Sequence, residues 1–138
     1  MSYSQVTPMT TTVKELMGKK SYLLSKAEAF AEMGLTETAQ PLFVSTAAYE
    51  EQIAALLDTE GRELEAAVHR ISAASCYKRA DQLSHAVTLY RAALAAPLYE
   101  ETRSEVMTML KNCLDRLIQQ PMSSHAASPL PNAVAGRS

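Results

Sequence analysis

Tryptophan is absent from the 138 residues, glycine occurs only four times and cysteine twice. Cys76 and Cys113 lie far apart and in no paired motif, which argues against a disulfide framework and leaves two thiols suited to a reducing compartment. An excess of one charge is lacking too. Thirteen Lys and Arg face 15 Asp and Glu, for a net charge of −2, so the chain lacks the overall electrostatics of a nucleic-acid binder. No apolar run approaches the ~20 residues that cross a bilayer. The start, Met1 to Pro8, has neither the basic nor the apolar region of a secretory signal. A cytoplasmic protein that binds no nucleic acid and inserts into no membrane is the expectation.

What is present is abundant alanine, a hydrophobic fraction of 47% that suffices for a core, and a 3.6-residue apolar period. The period predicts five helices. The first opens at Thr12, three residues before Glu15 in a capping-box spacing, and ends at Gly34, with Gly18 as a weak point and a possible fresh start near Ser21. The second lies between Leu35-Thr36 and Gly61, and Pro41 should bend it. The third runs from about Arg62 to Ala80 and the fourth from Ser84 to Ala96, where Pro97 stops it. The fifth, from Glu100 to Pro121, carries Val106, Met109, Leu110, Cys113, Leu114, Leu117 and Ile118 on one face. Short connections make neighbouring helices antiparallel. The expected fold is therefore an all-α antiparallel array of about five helices, as helical hairpins or a bundle. Its domain spans 12–120, between a flexible N-terminus (1–11) and a flexible C-terminal tail (121–138).

A weak internal repeat runs through the helices. Ala27, Phe30, Gly34, Ala39 and Phe43 are spaced as are Ala74, Tyr77, Asp81, Ala86 and Tyr90, 47 residues later. Ala54, Leu57, Gly61 and Ala66 repeat the first four positions, and Arg70 breaks the fifth. Each set straddles a predicted turn. This pattern resembles the tetratricopeptide (TPR) repeat, best over residues 67–99, where Ala74-Ser-Cys-Tyr77 is followed by Ala86-Val-Thr-Leu-Tyr90 and Pro97. Small residues at the crossing let two helices approach and rings fill the flanking holes. The resemblance implies stacked hairpins that hold a partner protein. Three features depart from it: offsets of 27 and 20 residues where the family repeats about every 34, Asp81 in place of the turn glycine, and no signature tryptophan. The best unit is also similar to the second helix of a microtubule-interacting and trafficking domain, with a shorter turn.

Residues that carry chemistry are sparse. His69, His85 and His125 form no His-x-x-x-His or His-Glu-x-x-His pair, and a four-helix di-metal site needs Glu-x-x-His, whereas Glu65 and His69 are one residue too far apart. Glu50 and Glu51 read as a solvated helix face. Cys113 reads as core and Cys76 has no histidine beside it to act as base. Gly18-Lys19-Lys20 lacks the rest of a phosphate loop, and Leu24 and Glu28 occupy the places where a TPR carboxylate clamp would start. These readings assign no enzyme activity, no metal and no cofactor. The remaining candidates are Arg70, Lys78, Arg79 and Arg91, expected to meet an acidic segment of a partner protein. The expected function is a non-catalytic interaction or adaptor module that binds a partner peptide or helix. The alternative is a self-assembling structural subunit, a homo-oligomer covering the apolar fifth helix, with a metal-dependent helical enzyme behind it.

Overall fold

A computed structural model describes residues 2–120, with side chains from residue 12 onward. Five helices follow one another: α1 (Ser2–Glu32), α2 (Thr36–Thr59), α3 (Glu63–Arg79), α4 (Leu83–Leu94) and α5 (Glu100–Gln119). Each packs on the next in chain order, and no strand occurs among the described residues. The fold is the all-α array that the apolar period predicts. The tail expected at 121–138 lies outside the described residues.

One helix boundary differs from expectation, and the placing of α2 agrees with it. Helix α1 does not begin at Thr12 but runs from Ser2, so residues 2–11, read as a flexible N-terminus, form its first turns, and Gly18 does not restart it. A Thr-x-x-Glu spacing offers a place where a helix can start, but nothing in it stops one from continuing back. Helix α2 begins at Thr36 and carries Pro41 in its interior. The missing N–H of Pro41 leaves the Glu37 carbonyl without its usual donor.

The first three connections are the same turn built three times. Gly34, Gly61 and Asp81 all take positive φ, at 80°, 76° and 63°. In each, the residue after the positive-φ position donates back over the helix end: Leu35 N–H to the Phe30 carbonyl at 2.9 Å, Arg62 to Leu57 at 3.0 Å, Gln82 to Tyr77 at 2.8 Å. The positive-φ residues themselves donate to Ala31, Asp58 and Lys78, each at 3.0 Å. This paired bonding satisfies carbonyls that a helix end leaves orphaned. Each following helix then opens with a bond to the same position, from Ala39 to Leu35, Ala66 to Arg62 and Ala86 to Gln82. The spacing noticed in the sequence therefore marks a repeated local geometry. All six of its alanines (Ala27, Ala54 and Ala74 before the turn, Ala39, Ala66 and Ala86 after it) are buried. No side chain at these positions holds the backbones apart, so the helices cross closely.

The fourth connection is built differently. Helix α4 stops before Pro97, and the Arg103 guanidinium from α5 donates to the Leu94 and Ala96 carbonyls at 3.0 and 2.9 Å. One side chain thus closes the end of α4 and fixes the start of α5 against it. The main core gathers Phe43, Tyr77, Leu83, Tyr90, Val106 and Cys113 with the small alanines, reaching from α1 to α5. A second, smaller cluster of Leu16, Ile53, Ala54, Leu57 and Ala66 joins the middle of α1 to the end of α2 and the start of α3.

Candidate functional site

Between the two apolar clusters lies a layer of charge. On α2, Ala47 belongs to the main core and Ile53 to the smaller cluster, and Glu50 falls between them with its side chain only 2% exposed. Its carboxylate accepts from Lys20 Nζ of α1 at 3.0 Å through one oxygen. The other oxygen lies 2.6 Å from His69 Nδ1 of α3. Glu50 is therefore no solvated face, as the acidic Glu50-Glu51 pair suggests in sequence, but the centre of a buried contact among three helices. The sequence did carry a sign of it. Position 50 sits on the buried stripe Phe43, Thr46, Ala47, Glu50, Ile53, Ala54, Leu57, where a carboxylate survives only with partners. Which partners it has depends on the register of α1 and α3, which no local pattern encodes.

Glu51 points to the neighbouring side of α2 and makes a second cluster. A single oxygen of its carboxylate accepts from the Tyr77 hydroxyl at 2.7 Å and lies 3.3 Å from His85 Nε2. The His85 ring stacks on Tyr77, centroids 3.7 Å apart and planes within 16°. This contact links α2 to α4 across α3. Burial, with the hydrogen bond to Glu51 adding to it, pushes the Tyr77 hydroxyl well above its ordinary pKa.

Both thiols are buried and unpaired. Burial pushes Cys76 up to about 11, the nearby Glu50 charge adds to the rise, and Arg79 and Lys20 oppose it. Cys113 is raised as well, chiefly by burial. A thiol held protonated is a poor nucleophile. The Glu50–His69 pair is equally poorly placed for catalysis, because a carboxylate this deeply covered is out of a reactant's reach. Among the described residues, no three His, Cys, Asp or Glu side chains gather closely enough to hold a metal ion. No helix among them is long and apolar enough to cross a membrane.

The four basic candidates go to different places. Arg70 donates to Asp58 of α2 at 2.6 Å. Arg79 donates to Glu28 of α1 at 3.3 Å and lies over the Phe43 ring, 4.2 Å from its centroid. Both therefore reach back toward α1 and α2, at two separate levels along α3. Lys78, half-buried on α3, and Arg91, exposed on α4, enter no ion pair among the described residues. Helical periodicity brings such residues onto neighbouring helices but does not foretell which acids will take them up.

Two of the surface hollows lie beside α3 or its end. Leu64, Val68, Leu98, Tyr99 and Thr102 line an apolar cleft of about 190 Å³ between α3 and the start of α5, with Tyr99 72% exposed at its edge. Glu37, Pro41, Val44, Ala80 and Gln82 line a wider, more polar cleft of about 550 Å³ between α2 and the third turn. No protein-family model matches this chain, and neither a curated protein nor a solved structure does.

Proposed function

We propose that the chain is a non-catalytic, TPR-like interaction module whose stacked helices hold a peptide or helix of a partner protein. The observation that carries this reading is the threefold recurrence of one turn, with buried alanines on both sides of each. Stacking helical hairpins on small residues makes long surfaces whose grooves accept extended or helical segments. The deep burial of Glu50 and the protonated state of Cys76 favour a binding role over chemistry. A cytoplasmic setting belongs to the reading, supported by two buried free thiols.

An acidic segment remains the partner of choice, with the burden shifted within the basic set. Lys78 and Arg91 meet it first, and Arg70 and Arg79 join only by giving up Asp58 and Glu28. The test begins with affinity purification of the full chain from its native cells. The expected result is stoichiometric recovery of one other protein, whose bound segment is then mapped and titrated as a synthetic peptide. Lys78→Glu with Arg91→Glu should weaken that peptide at least about tenfold, about 1.4 kcal/mol. Unchanged affinity in the double variant ends the acidic-segment version, and recovery of the chain alone ends the adaptor reading.

A further inference from the structure

Helix α5 is covered less completely than its neighbours. Only Val106 and Cys113 are fully buried along it, while Met107 is 56% and Ile118 80% exposed. These two are not scattered. Met107, Lys111, Leu114 and Ile118 are spaced by four, three and four residues, the spacing of a helix–helix seam. Leu114 is half-buried at the edge of the core, so the seam borders the covered face. Lys111 and Asp115 stand in its middle, joined at 3.0 Å with side chains 75% and 47% exposed.

We propose that α5 pairs antiparallel with α5 of a second copy of this chain, giving a two-fold dimer. The occupant follows from the charge order. A parallel pairing would set Lys111 against Lys111 and Asp115 against Asp115. Reversing one helix about a point near residue 113 sets Lys111 against the partner's Asp115, and Asp115 against the partner's Lys111. The same reversal sets Met107 against the partner's Ile118. A shallow hollow of about 400 Å³, lined by Glu100, Arg103, Ser104, Met107, Thr108 and Lys111, lies where that isoleucine would seat. One surface thus carries both the projection and the recess, the self-complementarity that a two-fold interface requires. This dimer stands on α5 alone and is independent of the adaptor reading.

The experiment is sedimentation equilibrium of the full chain, from about 1 μM to about 500 μM, the range in which a modest interface shows its dissociation constant. The expected result is a reversible rise from 15.0 kDa to twice that mass. Lys111→Asp and Asp115→Lys singly should each weaken association at least about tenfold, because each sets like charges together, and the double exchange should restore it. Ile118→Glu should leave a monomer. Lys111 and Ile118 are largely exposed and Asp115 about half exposed, and circular dichroism at low concentration verifies the fold of each variant. Should Ile118→Glu lose helix, the charge exchange decides alone. A chain that stays at 15.0 kDa throughout overturns the proposal. So does a dimer indifferent to the Lys111 and Asp115 substitutions, which would mean another surface or another partner geometry.

Discussion

At Glu50 two opposing costs set the outcome. Bringing a carboxylate out of water is expensive, and only partners placed at hydrogen-bond distance offset it. Lys20 and His69 do so from two other helices, and the three side chains remain mutually dependent. Glu50→Gln keeps the shape but leaves the lysine facing a neutral amide in a site with little water. We expect a loss of about 3 kcal/mol in chemical denaturation, and a loss below about 1 kcal/mol would mean that the layer adds little to stability. The alkaline limit is also set by single residues. Cys76 titrates near 9 when unfolded and near 11 when folded, so the folded state holds the thiol proton more tightly. Its contribution is complete below pH 9 and is lost as pH rises through 11. Raised Tyr77, Tyr90 and Cys113 act in the same direction. Stability measured against pH should therefore hold level to about 9 and then fall, and Cys76→Ala should remove one proton from the steepness of that fall. An undiminished slope in the variant would assign the decline to the other groups.

The element that recurs is the turn, and it was the most legible part of the sequence. Alanine, an apolar residue, a turn residue (glycine twice, aspartate once) and alanine at fixed spacing mark all three turns, because the geometry demands a positive φ at one place and small side chains at two others. Asp81 looked like a flaw in the pattern, yet it adopts the same φ as the glycines. Asp and Asn enter that region more readily than other side chains, at a cost that glycine avoids. Asp81→Gly should then stabilise the protein by up to about 1 kcal/mol, less whatever its exposed pair with Arg116 contributes. Gly34→Ala and Gly61→Ala should each destabilise by about 1 kcal/mol for the same reason. A Cβ at either glycine meets nothing within 4 Å, so packing adds nothing to that cost. Thermal melts of the three variants must move in these opposite directions if one conformation underlies all three turns. The basic residues were legible only as residues. Arg79 reaches Glu28 across 51 positions and Arg70 reaches Asp58 across 12, and pairings of that range follow from assembled register rather than from any one helix.

Across the whole molecule, packing runs in one dimension, each helix against the next, and cover is unequal along it. Helices α3 and α4 each bury six residues and α5 buries two. In arrays of this kind stability is a sum of local terms and neighbour interfaces, so the end with the thinner interface opens first. Hydrogen exchange of the dilute chain should accordingly show amides of α5 exchanging at least about tenfold faster than those of α3, about 1.4 kcal/mol in opening free energy. The Arg103 bonds to the end of α4 are the main polar tie across that boundary, and Arg103→Met should widen the gap while leaving α3 unchanged. Two other patterns are possible, and each has a definite meaning. Equal protection in α3 and α5 would show that the array unfolds as one cooperative unit, with the core from Phe43 to Cys113 tying its ends together. Protection of α5 that rises with protein concentration, while α3 stays constant, would show a second surface closing over Met107 and Ile118, as the proposed two-fold pairing requires.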